Sequence, residues 1–306
     1  MFEARLAQCA VFKRLVDSMH SLIEEGNLDC NEEGISMQAM DTSHISLVAF
    51  MLRSEAFSEY RCDRALSLGI KLGSLTKILK CASNDDTATL KAHDEGADTA
   101  DFTFESAKQD RVSDFQLKLL DIDSEHLGIP ACDYDAAVTM PSAEFRRIVG
   151  DLAVLGETVK IDVSKSGATF SVEGDIGKGS ITVHQTPPAA DGEKNSSVAI
   201  ELTRPVSMTY ALRYLNVFAK AAVLSPMVTL SLNTTAPMQV DFPLEDDAGY
   251  VRYFLAPKMA DDEGEETQAK DEPEVSSAKD EQEVTQTKTE VKEEVKDEED
   301  EIEMED

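Results

Sequence analysis

The chain reads as an α+β protein built from two copies of one unit, each with antiparallel sheets and two helices on one face, followed by an acidic tail. Three observations predict this. First, the sequence repeats itself: Phe12-Lys13-Arg14-Leu15-Val16 returns 133 positions later as Phe145-Arg146-Arg147-Ile148-Val149, and Leu28-Asp29-Cys30 through Gly34 returns as Ile161-Asp162-Val163 through Gly167. A second echo, at spacing 140, sets Lys80 and Thr89-Leu90 opposite Lys220 and Thr229-Leu230. Each copy thus holds two related helix-then-strand modules, and a chain of matched units is suited to a piece of a ring. Second, short strand-like runs are interrupted by four segments of helical spacing. Third, the charge is concentrated at the end: residues 260–306 carry 22 acids against 5 lysines.

The elements follow in order. About 9–23 reads as a helix, because Phe12, Val16, Met19 and Ile23 recur on one face. Asn31-Glu32-Glu33-Gly34 is a hairpin turn, with Gly free to take a positive φ. Ile45 to Met51 is a strand, 73–82 a second helix and Phe102-Thr103-Phe104 a strand. The stretch from Lys118 to Pro130 is too polar at its middle for a core strand, and Gly128 and Pro130 punctuate it. It reads as a long surface connector. Pro141-Ser142 opens a third helix over 142–155. Val159 to Val163 and Ala168 to Val172 are strands about the turn Ser164-Lys165-Ser166-Gly167. The run from Thr186 to Ser197 is a loop rich in Pro, Gly and charge. The fourth helix is expected over 208–222, on the spacing of Leu212, Leu215, Phe218 and Ala222, and Val251 to Leu255 is a closing strand.

The 306 residues leave room for two domains, and the formal charge is −31. The tail, with almost no large apolar residues, cannot offset its ordering entropy and reads as disordered. The five cysteines form no Cys-x-x-Cys pair, no charged-then-apolar leader opens the chain and no run is long enough to span a bilayer. These features predict a soluble intracellular protein with reduced thiols and no membrane partner.

Against that acidic background the helices stand out. The segments 73–82 and 208–222 contain no acid, and carry Lys77 with Lys80 and Arg213 with Lys220. The first helix offers Lys13 and Arg14, the third Arg146 and Arg147 at the matching positions. Basic faces recurring in both copies predict one electropositive surface for phosphates. The chain has no Trp, and no aromatic is expected to interleave these positions on the outer faces of the helices. Single-strand stacking and base readout are therefore not expected, and nonspecific duplex contact is.

Sites for chemistry are not found. Gly174 to Ser180 imitates a phosphate loop, but Lys178 is followed by Gly and a strand follows. Asp121 to Glu125 imitates a calcium loop, but His126 takes the Gly position and Cys132 that of the bidentate Glu. The histidines lack metal-ligand spacing, and no nucleophile has a local base. Neither an enzyme nor a cofactor is expected.

Several blocks in order resemble the eukaryotic sliding-clamp family, proliferating cell nuclear antigen. They are Met1-Phe2-Glu3-Ala4-Arg5-Leu6, Met40-Asp41-Thr42-Ser43-His44, Leu52-Arg53-Ser54-Glu55, Tyr60-Arg61-Cys62-Asp63-Arg64, Lys77-Ile78-Leu79-Lys80-Cys81, Leu127-Gly128-Ile129-Pro130, Ala211-Leu212-Arg213-Tyr214-Leu215-Asn216 and Leu255-Ala256-Pro257-Lys258. The resemblance covers residues 1–259. It implies a DNA clamp fold with an N-terminal clamp domain over 1–117, a connector over 118–135, a C-terminal clamp domain over 136–259 and an extra tail over 260–306. It also implies a homotrimeric ring whose helices line a hole around duplex DNA, nuclear residence, and a clamp loader as partner. DNA polymerase and other proteins would dock a two-aromatic motif onto a pocket of Met40, His44, Ile45, Leu47, Leu127, Ile129, Pro130, Pro237, Phe254, Ala256 and Pro257. Lys165 matches the family's ubiquitin and SUMO acceptor. Subunits would pair the strand near Arg111–Leu117 with the strand near Gly177–Val183, which leaves no free edge. The competing reading is an acidic adaptor or histone-chaperone-like protein acting through its tail.

Overall fold

The structure is a computed structural model that describes residues 1–92, 98–123, 128, 133–186 and 197–258. The tail, Leu127, Ile129, Pro130, Cys132 and the middle of the Thr186–Ser197 loop lie outside the described residues.

Two halves follow one plan. The first runs β1 (Phe2–Leu6), α1 (Cys9–Met19), β2 (Glu25–Asn31), β3 (Gly34–Met40), β4 (Ser46–Arg53), β5 (Glu59–Cys62), β6 (Leu66–Lys71), α2 (Leu72–Leu79), β7 (Thr87–Ala92), β8 (Thr99–Glu105) and β9 (Val112–Lys118). The second repeats it as β10 (Ala136–Pro141), α3 (Ser142–Leu152), β11 (Thr158–Ser164), β12 (Gly167–Gly174), β13 (Gly177–Val183), β14 (Ala199–Leu202), β15 (Val206–Ala211), α4 (Leu212–Phe218), β16 (Met227–Leu232), β17 (Met238–Pro243) and β18 (Gly249–Leu255).

Local pattern explains most of these elements. In β1, Phe2, Ala4 and Leu6 are buried while Glu3 and Arg5 alternate with them. In α1 the buried residues include Phe12, Leu15, Val16 and Met19, and in α3 they include the matching Phe145, Ile148, Val149 and Leu152. Neither helix has a side-chain N-cap. Instead the Cys9 N–H donates to the Asp86 carbonyl at 2.8 Å, and the Ser142 N–H to the Pro226 carbonyl at 2.9 Å. The repeat therefore extends to how each helix start is satisfied.

The fourth helix departs from expectation. Met208 to Ala211 belong to β15, and the α-helix covers only Leu212–Phe218 before a 3-10 turn over Ala219–Val223. The backbone ladder of β15 with β11, running from Thr158↔Ala211 to Val163↔Val206, and full burial of Tyr210 override the helical spacing there. The first and third helices also stop short of the expected ends, at Met19 and Leu152.

The sheets carry the architecture. One has the order β5-β1-β7-β8-β9, one β13-β12-β11-β15, and one nine-stranded sheet runs β14-β10-β16-β17-β18-β4-β3-β2-β6. The nine-stranded sheet is the second half's five strands joined to the first half's four, through antiparallel pairing of β18 with β4 from Gly249↔Leu52 to Leu255↔Ser46. The helices form one layer on these sheets: α1 packs against α2 and α4, and α3 against α4 and the 3-10 turn. Phe218 of α4 stacks on Tyr253 of β18, centroids 4.4 Å apart, and the Tyr253 hydroxyl lies 3.1 Å from Ser18 Oγ of α1. One core thus runs across the joint between the halves.

Gly249 opens the joint at φ +145, and a Cβ there would lie 1.8 Å from the Met51 carbonyl oxygen. Gly249→Ala should cost about 2–4 kcal/mol in chemical denaturation, because backbone would have to shift. Gly73→Ala, in α2 with nothing within 4 Å, should instead be neutral or stabilise by up to about 1 kcal/mol.

Candidate functional site: a basic helical wall and an apolar groove

The basic residues divide by environment. Arg14, Lys77, Lys80, Arg146, Arg147, Arg213 and Lys220 are exposed on the helical layer. Lys13 differs: it is half-buried, and its ammonium donates to the Ala82 carbonyl at 2.7 Å, tying α1 to the turn after α2. Two others make light local contacts that leave them accessible. Arg147 Nε lies 3.6 Å from Asp151, a surface pair that is worth little, and Lys220 Nζ donates to Ser21 Oγ at 2.9 Å. Lys220 sits in the 3-10 turn rather than in α4, so the i, i+7 spacing from Arg213 does not set their relation.

The predicted groove residues fall into two adjoining groups. Met40, Leu47 and Phe254 form, with Ala49, a small apolar cluster separate from the main core. Ile45, Ala256 and Pro257 line a cleft of about 670 Å³ together with Ala153, Gly156, Ala211, Arg213, Tyr214 and Asn216. His44 is exposed in a left-handed conformation, φ 55, at the turn between β3 and β4. Pro237 is exposed just before β17. Leu127, Ile129 and Pro130 lie outside the described residues. Ile45 remains 38% exposed, unusual for so large an aliphatic residue.

Asp41 organises this cleft. Its carboxylate accepts from the backbone N–H groups of Ser43 (3.2 Å), Ile45 (2.9 Å) and Ser46 (2.6 Å), and from the Tyr214 hydroxyl at 3.0 Å. Arg213 donates to that hydroxyl at 3.0 Å and lies over the Tyr214 ring, 4.7 Å from its centroid. A continuous polar path thus links the helical wall to the turn that presents Ile45. Burial pushes the Asp41 carboxyl up, but the hydrogen bonds from Ser46, Tyr214, Ser43 and Ile45 outweigh it and hold the group below the ordinary range. The sequence shows Asp41 and Tyr214 only inside family-like blocks and does not reveal their joint role, since nothing local signals a bond across 173 positions.

Lys165 is exposed in the turn between β11 and β12, beside a cleft of about 420 Å³ that His184 also lines. His184 Nδ1 lies 2.8 Å from the Ser166 carbonyl, which pins that turn to the end of β13. The two buried thiols are poorly suited to nucleophilic work: burial pushes Cys9 up to about 11 and raises Cys30 as well.

Two half-molecules of matched strands and a shared helical layer define a DNA clamp fold. The family descriptions for proliferating cell nuclear antigen agree: the N-terminal domain matches residues 1–126 and the C-terminal domain residues 128–258. The chain is 48% identical over 263 residues to the proliferating cell nuclear antigen of Chaetomium thermophilum, covering 86% of this chain and all of that one. It is 49% identical over 259 residues to that of Dictyostelium discoideum, covering 85% of this chain and all of the relative. The chain therefore belongs to the proliferating cell nuclear antigen family: it is a DNA sliding clamp, a homotrimeric processivity factor for replication and repair, and not an enzyme.

A carboxyl held low in the folded state stabilises above the unfolded pKa of about 3.9 and stops doing so as pH falls through the folded value. The Ser43–Ser46 turn should therefore keep its amide-exchange protection in full from neutral pH down to about pH 4, and lose it only further down, as pH falls through the lower folded value. Asp41→Ala should remove that protection at every pH and cost about 2–3 kcal/mol, because three backbone N–H groups lose their acceptor. Hydrogen exchange of residues 43–46 across a pH series reads both.

Proposed function

We propose that the ring closes by repeating, between subunits, the joint that β18 and β4 make within one. The observation that carries this is which strands are left over. β9 ends the five-stranded sheet and β13 ends the four-stranded sheet, and they are the counterparts of β18 and β4. Adding β13-β12-β11-β15 of one subunit to the β9 of the next rebuilds the strand order of the nine-stranded sheet. The ladders transfer the register. Asp114 pairs with Thr103 as Arg252 pairs with Asp241, and Val183 pairs with Ala168 as Leu52 pairs with Ile35. Arg252↔Ala49 and Tyr253↔Val48 then become Asp114 opposite Ser180 and Phe115 opposite Gly179. Burial supports this reading: Val112 in β9 is 61% exposed and Ile176 beside β13 is 76% exposed, an arrangement suited to strands that await a partner.

In such a ring the helical layers of three subunits face the hole. Arg14, Lys77, Lys80, Arg146, Arg147, Arg213 and Lys220 then contact phosphates of the duplex, with Lys13 partly committed to Ala82. These contacts are weak and sequence-independent, so the ring slides while its partner stays attached. The partner motif docks where Ile45, Ala256 and Pro257 adjoin Met40, Leu47 and Phe254, with His44, Pro237 and connector residues Leu127, Ile129 and Pro130 completing the pocket. In the domain division that goes with this reading, residues 118–135 bridge domains over 1–117 and 136–259. Residues 260–306 are an added tail, Lys165 is the modification site, and the protein works in the nucleus.

Phe115→Ala should lower the native mass of residues 1–259 from trimer to monomer in light scattering at low micromolar concentration. A variant that stays trimeric would mean the subunits join elsewhere. Replacing Lys80, Arg147, Arg213 and Lys220 with Ala should weaken duplex binding and flatten its salt dependence, each lost phosphate contact removing about 0.9 from the slope. An unchanged slope would take the helical layer off the DNA.

A further inference from the structure

A second cleft lies at the other end of the joint between the halves. It is about 580 Å³ and is lined by the start of α1, the turn after β4, the turn after α4 and the turn between β17 and β18. Its position is fixed by the ladder: Leu255↔Ser46 opens onto Ile45 and Ala256, whereas Gly249↔Leu52 opens onto Glu55 and Leu244–Ala248. The two clefts therefore sit at opposite ends of one strand pair, and in a ring they lie on opposite faces.

Two independent features point to a docking role. One is the lining. Val11, Val223, Leu224 and Pro226 supply aliphatic surface, and Val223 is 49% exposed. The fold does not require this. In the first half the same turn, fixed by the Asp86-to-Cys9 and Pro226-to-Ser142 backbone bonds, reads Ser83-Asn84-Asp85-Asp86 where this one reads Val223-Leu224-Ser225-Pro226. A polar turn closes the equivalent corner, so the aliphatic one is an addition.

The other feature is the rim. Glu55, Glu245 and Asp246 border the cleft against one cation, Arg14. None of the three carboxylates has an ion-pair partner among the described residues, whereas the neighbouring Asp247 is neutralised by Arg53. An aliphatic floor under a net-acidic rim matches a short peptide that carries an aliphatic side chain next to Lys or Arg. We infer that this cleft is a second docking groove, on the face of the ring opposite the two-aromatic pocket, for a basic–aliphatic segment of a partner protein. The volume lies within the range of pockets that hold a side chain and its neighbours.

The experiment is selection of a displayed random-peptide library on the full-length trimer, with the opposite pocket disabled by Ile45→Asp. Winners are counter-screened on the same protein carrying Val223→Asp, and separately on one carrying Glu245→Lys and Asp246→Lys. These are surface changes, and light scattering plus the two-aromatic peptide on the Ile45 background checks that trimer and first pocket are intact. The expected result is enrichment of peptides pairing Leu, Ile or Val with Lys or Arg, each losing at least about tenfold in affinity to both variants. Peptides that bind all variants equally, or enrichment without basic residues, would overturn the assignment. So would a doubling of the native mass with concentration that Val223→Asp abolishes, because the cleft would then be a contact between two rings.

Discussion

Both clefts of this molecule, and the continuous core beneath them, take their place from one backbone pairing, that of β4 with β18. The pairing makes a nine-stranded sheet from two halves, and it fixes a period-two choice at each position. Val48 and Tyr253 face the helical core and are fully buried, while Leu47 and Phe254, one residue along, form the outward cluster of the groove. A slip of one residue would exchange the two sets, turning the core outward and the groove inward. The ends of the same ladder carry the two clefts. Register here is therefore both a condition of folding and the device that positions the two clefts.

The electrostatic design follows from that geometry. A strongly acidic body repels nucleic acid in general, and a helical layer whose α2 and α4 carry exposed cations and no acid makes one approach favourable. The layer is not uniform in its use of charge. Lys13 holds α1 to Ala82 and so contributes to the wall as structure, whereas Arg14, one residue further on, remains exposed. Arg213 stands between roles, because its guanidinium is hydrogen-bonded to the phenol that supports Asp41. Retention on DNA in a closed ring comes from topology, and the tethered partner gains effective concentration without tight protein–DNA contact.

Much of this could be read from the sequence, for reasons that individual residues make clear. Repeats of helix faces persist because the same core contacts are rebuilt: the structure buries Phe12, Leu15 and Val16 and, in the other copy, Phe145, Ile148 and Val149. The hairpin glycines Gly34 and Gly167 take φ of 143 and 147, as their turns demanded. The start of α4 was not legible, because Met208 to Ala211 satisfy helical spacing and a strand ladder equally, and only the β11 backbone decides between them. The groove was legible in its apolar members and not in its support. Asp41 acts through backbone donors two to five residues on and a phenol 173 away, and composition carries no trace of such a bond. The cleft at Val223 went unnoticed for a similar reason: its lining comes from the start of α1 and three turns that meet only once the halves are joined.

The likeness of the inner joint to the joint between subunits has a mechanical consequence. With the closure proposed above, a trimer contains six joints of one kind, yet they are not equal in what breaking them would require. Three have both strands in one polypeptide and share a continuous core through Phe218, Tyr253 and Ser18, so parting them means unfolding a chain. The other three, in that closure, join separate chains through the β9 and β13 edges, so parting them leaves each chain folded. The ring has six seams but only three gates, and a machine that opens it around DNA has to work at one of those.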